Sequence, residues 1–316
     1  MPGRRNNATV KSSMADGGCN EKSNPLQEYP DWFHRSKTYK ICNYDTSRYP
    51  FRELLADWLE VIHDLENMHI PFQNEDSRQK DPLHPQVRHA HISAKINPAL
   101  SSTVRRAKKK GLFSSPQYNS YIDTYRLFIR EVIVPLCHDG ENTDANSNSI
   151  QDDHVVYQFP PTTRVVFPNG NKTIAMHCDS EYPGHQAAEI NFWLPVTKVY
   201  GSNSLWIESE PLKGDFKPVE INYGQFLRFD GHHCRHYTMQ NDTPSCRVSF
   251  DFRVIPSKLC ADRIMMGDFC VEETTQEGYK TYWISSKKQK SPMPSLKADD
   301  KPLKSLLASL SLENSS

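Results

Sequence analysis

The chain has no excess of charge of either sign. Its 316 residues carry 38 Lys and Arg against 38 Asp and Glu, and the pI is near 7.2. That balance offers no electrostatic handle for nucleic acid or an anionic membrane surface, so neither is expected as a partner. No apolar run approaches the roughly 20 residues that a membrane span needs. The first residues, MPGRRNNATVKSSMADGGCNEKSN, hold charge but no apolar stretch, which argues against a secretory signal and for a cytoplasmic protein. There is no CxxC pair and no internal repeat. Eight cysteines are scattered along the chain, which is better read as free thiols in a reducing compartment than as a disulfide framework. Hydrophobic content is only 37%, but much of the polarity lies in the two tails, and the remaining length is ample for a sizeable core.

What is present changes character along the chain. Residues 1–25 read as a disordered leader and 287–316 as a polar tail. Residues 26–153 hold a strand at KTYKICNY and two amphipathic helices. In YPFRELLADWLEVIHDLENMH, Leu54, Leu55, Trp58, Leu59, Ile62 and Leu65 follow helical spacing. In SPQYNSYIDTYRLFIREVIVPLC, the Tyr118-to-Val132 series does the same, with Pro135 expected to end it. Residues 70–100 read as a long loop. STVRRAKKKGLF reads as a short basic helix whose charges form a solvated face, since no aromatic residues interleave them. Over 154–286 the sequence turns to short β-branched and aromatic runs: VVYQF, TRVVF, TIAMHCD, AEINFWLPVT, NSLWIES, VEINYGQFLRF, HYTMQ and CRVSFDFRVIP, with a late strand at GYKTYWISS. This density of strands predicts a mainly β protein, a sandwich or jelly roll, with the N-terminal helices packed on one sheet.

Chemistry concentrates at IAMHCDSEYPGHQAAEINFWLP, residues 174–195. On a strand, side chains i and i+2 leave the same face about 6.6–7 Å apart, so His177 and Asp179 would point together and Cys178 away. Downstream, YGQFLRFDGHHCRHYTMQNDTPSCRVSFDF offers His232, His233 and His236 as further ligands. The first two fall in the expected turn and the third opens a strand. The HHCRH tract lacks the second cysteine pair of a zinc finger.

Taken together, His177-x-Asp179, the distal His236 and Arg247-Val-Ser249 resemble the Fe(II)- and 2-oxoglutarate-dependent oxygenases, in their phytanoyl-hydroxylase-like and streptomycin-biosynthesis-type branch. The resemblance covers roughly residues 154–256. It implies a double-stranded β-helix (jelly roll, cupin-like) core, with His177, Asp179 and His236 as iron ligands and Arg247 and Ser249 as anchor for the 2-oxoglutarate carboxylate. Two imidazoles and one carboxylate leave positions open on Fe(II) for cosubstrate and O₂, and a planar guanidinium suits a carboxylate. The implied activity begins with hydrogen abstraction from a small biosynthetic substrate, amino-acid-like or otherwise carboxylated. Hydroxylation, desaturation or oxidative cyclisation (ring closure of the kainoid-synthase type included) follows, with release of succinate and CO₂. Two rivals stand beside it: a protein-modifying hydroxylase that docks a polypeptide on the basic stretch, and a cupin-like metal binder without oxygen chemistry. The intact Arg247–Ser249 pair argues against the second.

Around this core, alternation puts Glu189, Asn191 and Trp193 on one face of their strand, so Asn191 is a candidate cosubstrate contact and Trp193 a lining residue. Arg247, Ser249, Asp251 and Arg253 share a face, with Arg253 and Asp251 expected to neutralise each other and Arg253 otherwise a candidate substrate contact. Arg164 and Arg228 are candidates for a substrate carboxylate, since an inward charge needs a partner. Tyr157, Tyr182 and Trp206 are candidate lining residues, Trp206 with core packing as the stronger reading. His185 reads as a substrate contact or a surface histidine, not a ligand.

Overall fold

The computed structural model describes residues 29–61, 64–69, 94–96, 115–138, 154–169, 174–182, 185–260, 271–274 and 280–286. The leader, the basic stretch after residue 101 and the C-terminal tail lie outside these. The described residues form mainly antiparallel β-structure with a few helices.

Two apolar cores, one on each face of a large sheet, organise the molecule. The sheet runs β1 (Lys40–Asn43), β8 (Gln225–Phe229), β5 (Ile190–Pro195), β10 (Arg247–Pro256), β3 (Val155–Phe159), β12 (Lys280–Ser285) and β11 (Val271–Thr274). β4 (Thr162–Val166) also pairs with β10, and β2 (Ala94–Ile96) with β4. β2 lies within the stretch expected to be all loop. A smaller sheet is ordered β7 (Lys217–Pro218), β6 (Leu205–Ile207), β9 (His236–Thr238). Strand alternation sorts the side chains. Phe192, Phe226, Val248, Phe250 and Phe252 face the helices, while Trp193, Leu227 and Phe229 face Leu205, Ile207 and Val219 of the small-sheet side.

The helices cover the outer face: α1 (Asp31–Lys37), α2 (Phe51–Trp58), α3 (Pro116–Phe128) and α4 (Val134–His138). Phe250 sits among Phe51, Tyr121 and Tyr125 at ring separations of 5.0, 5.6 and 6.2 Å. α3 starts where its sequence says it should: Ser115 accepts from the Tyr118 N–H at 3.1 Å, and Pro116 takes the first turn.

Three expectations need correction. α2 stops at Trp58, two turns in, because Glu60 takes a left-handed φ of 57° and the Val61 N–H closes back on Ala56. The apolar period runs on because Leu65, now on a separate short turn, still reaches the same core. Pro135 does not end its helix. The turn before it widens into a π-helical stretch, Ile129–Ile133, and α4 then continues through the proline. A missing N–H inside a helix is accommodated by such local rewinding. Last, the TIAMHCD run is no regular strand among the described residues: only His177 makes a bridge, to His236, and Asp179 begins a short 3₁₀ turn, Asp179–Glu181.

Candidate metal centre

The bridge between His177 and His236 builds the site. Each residue's N–H donates to the other's carbonyl, at 3.2 and 2.8 Å. The pairing places the two imidazoles side by side, with ring centroids 4.5 Å apart and planes tilted by 53°. Both rings are oriented by the backbone. His177 Nδ1 is 2.7 Å from the Ala175 carbonyl and His236 Nδ1 is 3.1 Å from the Cys234 carbonyl. A carbonyl can only accept, so each Nδ1 carries the proton and each Nε2 presents its lone pair. Those two nitrogens converge on one oxygen, Asp179 Oδ1, at 3.5 and 4.0 Å. Burial pushes the His236 imidazolium down to about 4, so this nitrogen is a free base at neutral pH.

Asp179 is wholly buried and held from the other side. Its Oδ2 accepts from Asn191 Nδ2 and from Arg253 Nε, both at 2.7 Å, and Arg253 Nη2 lies 3.0 Å from Oδ1. Burial alone would raise the carboxyl, but the Arg253 charge and its hydrogen bonds keep it well below the usual carboxylate range. The three donor atoms (two neutral Nε2 and one ionised oxygen) form a group within 4.8 Å of one another. This donor set suits Fe(II) better than the softer sulfur sets that select zinc.

The turn after β8 is shaped for this arrangement. Gly231 donates its N–H to Asn191 Oδ1 at 3.1 Å, and its carbonyl accepts from the Asp179 N–H at 2.8 Å. A Cβ at 231 would collide with the Asn191 side chain, which accounts for glycine there. Beside it, Asp230 Oδ1 receives Lys37 Nζ of α1 at 2.8 Å, and Asp230 Oδ2 pairs with His233 Nδ1 at 2.8 Å. His233 is thereby committed to the turn. Burial works against the Asp230 charge, but the His233 hydrogen bond and the Lys37 charge bring its pKa down to about 2. A carboxylate depressed in the folded state stabilises above its unfolded pKa of about 3.9, and that stability fades as pH falls through about 2. Asp230→Asn should therefore cost about 2 kcal/mol at pH 7, with the gap from wild type closing near pH 2, as urea titrations at a series of pH values would measure.

Farther along the inward face of β10 lies a second cluster. Arg247 is 1% exposed. Its Nη1 donates to the Asn203 carbonyl at 2.7 Å, and its guanidinium lies 5.9 Å from the Trp193 ring. Trp193, paired with Asp251 on the neighbouring strand, lines the cavity of the metal ligands, so its ring lies between that cavity and Arg247. Burial, then the charge of Arg164, pushes Arg247 down to about 9, where it is still a cation at neutral pH. Ser249 is fully buried and its Oγ has no hydrogen-bond partner among the described residues. A buried hydroxyl in that state, next to a buried guanidinium, fits an anionic ligand better than it fits the protein alone.

The remaining candidates divide. Trp193 lines the small cavity that His177, His236, Arg164 and Arg253 share. Arg164 reaches it too, but is committed to Asp251, at 2.6 Å through Nε. The expected Arg253–Asp251 neutralisation is thus replaced by two other pairs, Arg164–Asp251 and Arg253–Asp179. Asn191 lines the same cavity, with one amide N–H on Asp179 and its oxygen accepting from Gly231. Arg228 faces away, donating to the Arg35 carbonyl of α1 at 3.1 Å. Tyr157 also belongs to the helix side, packed on Tyr125. Both therefore take the strand face that packs on the helices, not the face that lines the cavity. Tyr182 stands at the rim, edge-on to His177 at 5.1 Å, and Trp206 stacks on Tyr237. His185 Nδ1 pairs with the buried Glu189 at 2.7 Å. Sequence reasoning missed Glu189 and Lys37. Glu189 was signalled by sharing the inward parity of Asn191, but nothing in the sequence gives the register that brings it to Arg253. The six cysteines among the described residues are free thiols. No helix among the described residues is long and apolar enough to cross a membrane.

No family model matches the chain. A streptomycin biosynthesis protein, StrG of Streptomyces griseus, is 34% identical over 159 residues, which span 50% of this chain and 71% of StrG. Among solved structures, the nickel complex of the non-heme monooxygenase ThoJ aligns over 90% of this chain and 97% of its own, at 11% identity and TM-score 0.39. The α-ketoglutarate-dependent carbocyclase SnoK of nogalamycin biosynthesis aligns over 71% and 81%, at 12% identity and TM-score 0.38. EvdO2 of Micromonospora carbonacea var. aurantiaca, complexed with 2-oxoglutarate, aligns over 71% and 88%, at 11% identity and TM-score 0.37.

Proposed function

The chain belongs to the family of the streptomycin biosynthesis protein StrG, and we propose that within it this protein is an Fe(II)- and 2-oxoglutarate-dependent oxygenase acting on a small biosynthetic metabolite. The observation that carries this reading is the convergence of His177 Nε2, His236 Nε2 and Asp179 Oδ1 beside a small cavity lined by Asp251 and Arg253 of β10, the strand on which Arg247 and Ser249 take the same parity. The strand order supports a double-stranded β-helix. One sheet contains β4-β10-β5-β8, and the His177 bridge extends the other as His177-β9-β6-β7.

His177, Asp179 and His236 would hold the iron. Bound Fe(II) supplies the activation of O₂ coupled to decarboxylation of 2-oxoglutarate to succinate and CO₂. The protein's own residues orient and exclude. Arg247 and Ser249 grip the far carboxylate of the cosubstrate and so aim its keto-acid end at the ligands. Trp193, Phe229 and Leu205 wall the cavity with apolar surface. Hydroxylation, desaturation and ring closure all begin with hydrogen abstraction, and the proposal is made at that level. The barrel arginines no longer argue for a carboxylated substrate, since Arg164 is paired with Asp251 and Arg228 faces α1.

The decisive experiment supplies Fe(II), ascorbate and 2-oxoglutarate to the protein and measures succinate. Slow uncoupled turnover is expected without the true substrate. Absence of succinate together with no anaerobic binding of 2-oxoglutarate would sink the reading. Ser249 gives a finer check. Its Oγ bonds to no described residue, so Ser249→Ala should leave thermal stability nearly unchanged. It should weaken 2-oxoglutarate about five- to tenfold, the value of one net hydrogen bond. Calorimetric titration of the metal-loaded protein measures this.

A further inference from the structure

Asp179 is one of two fully buried carboxylates on this side of the cavity, and Arg253 stands between them. Its Nε is 2.7 Å from Asp179 Oδ2 and 3.6 Å from Glu189 Oε2. Glu189 is fixed from behind by His185 Nδ1 at 2.7 Å and by the Gln186 N–H at 2.8 Å. Arg253 is fixed in turn by Gln158 Oε1, which accepts from Nη1 at 3.2 Å. Asp179, His185 and Glu189 form a second group of potential ligand atoms within 4.8 Å, sharing Asp179 with the first. Two carboxylates are therefore within reach of one cation, whereas the chemistry proposed above needs one.

We propose that Arg253 is a positioning residue that keeps this a one-carboxylate centre. With Asn191 it saturates Asp179 Oδ2, while among the described residues Oδ1 accepts only from Arg253 Nη2 at 3.0 Å, so Oδ1 is the oxygen with a lone pair left for a metal beside the two histidines. At the same time its charge neutralises Glu189 and holds that side chain back with His185. The consequence is three protein donors and no more, which leaves room for a chelating keto acid and O₂. The inference rests on the metal-site reading, and it adds a residue that determines how many positions stay open.

The test uses the full chain and Co(II), a redox-stable stand-in for Fe(II), with 2-oxoglutarate added anaerobically. In Arg253→Gln, Asp179 is released and the un-neutralised Glu189 is drawn to the cation. Co(II) should still bind, but its visible spectrum should change, and 2-oxoglutarate affinity of the Co(II)-loaded protein should fall at least about tenfold, the lower end of effects seen for residues that orient ligands. Adding Glu189→Gln to that variant removes the competing carboxylate and should restore both the spectrum and most of the affinity. A wild-type spectrum with wild-type 2-oxoglutarate affinity in folded Arg253→Gln overturns the proposal. So does a loss that the double variant leaves undiminished. Should Arg253→Gln fail to fold, Arg253→Lys keeps the charge without the two-pronged grip. It should shift the spectrum and the affinity in the same direction by a smaller amount, and a wild-type result there also overturns the proposal. Failure of the wild-type protein itself to bind Co(II), or of its Co(II) form to bind 2-oxoglutarate, would instead remove the metal-site reading.

Discussion

Arg247→Ala should weaken 2-oxoglutarate binding by on the order of 30- to 1,000-fold while leaving metal binding intact. The range follows from removing one member of a buried, hydrogen-bonded charge pair, which costs about 2–4 kcal/mol or more because the other charge is left buried without a partner. Arg247 meets the conditions for the full effect: it is 1% exposed, and its guanidinium lies 5.9 Å from the Trp193 ring that lines the ligands' cavity. Arg247→Lys keeps a charge but not the planar fork, and should fall between wild type and alanine. Anaerobic titration of 2-oxoglutarate into metal-loaded protein measures the affinity, and succinate formation at rising 2-oxoglutarate measures the concentration requirement. Unchanged affinity in Arg247→Ala would move the anchor elsewhere, with Arg164 the next guanidinium on that face.

His236→Ala should abolish metal binding, by more than about 100-fold, since even residues that merely orient a ligand are worth 10- to 100-fold. The imidazole supplies one of three donor atoms. It also completes the geometry, because its backbone bridge to His177 sets the spacing of the two rings. That bridge is backbone to backbone, so alanine preserves it and the loss isolates the nitrogen. His233→Ala is the control. His233 is half-exposed and paired with Asp230, and its removal should leave metal affinity near wild type. Equilibrium dialysis against Fe(II) or Co(II) under argon reads both. Metal retained in His236→Ala but lost in His233→Ala would reassign the third ligand.

Both predictions concern residues that stand in the sequence as a pattern: His-x-Asp, a distal histidine after a glycine turn, and an Arg-x-Ser eleven residues on. Their roles as ligands and anchor are what the family resemblance implied; local periodicity carried the sorting of side chains within strands and helices. Period-two alternation put Arg247, Ser249, Asp251 and Arg253 on one face, and the three- and four-residue spacing marked α2 and α3 as helices that cover the other. Parity within one strand is a local property and needs no partner.

Only the tertiary structure decided who pairs with whom. The alternation that grouped Asp251 with Arg253 could not say that β4 would bring Arg164 to Asp251, or that the turn after His177 would bring Asp179 to Arg253. Strand register and loop path set those partners, and both are fixed by contacts far apart in the chain. Asn191 shows the same limit: its inward face was legible, yet its commitment to Asp179 and Gly231 depends on the β5–β8 register that puts it opposite Phe229 at the start of the glycine turn. Helix length was decided in the same way. α2 ends at Trp58, while the apolar repeat beyond it is satisfied by a separate turn reaching the same core. Which side chains share a face is legible in the sequence because that is a property of neighbours along the chain. The charges they meet there are a property of neighbours in space.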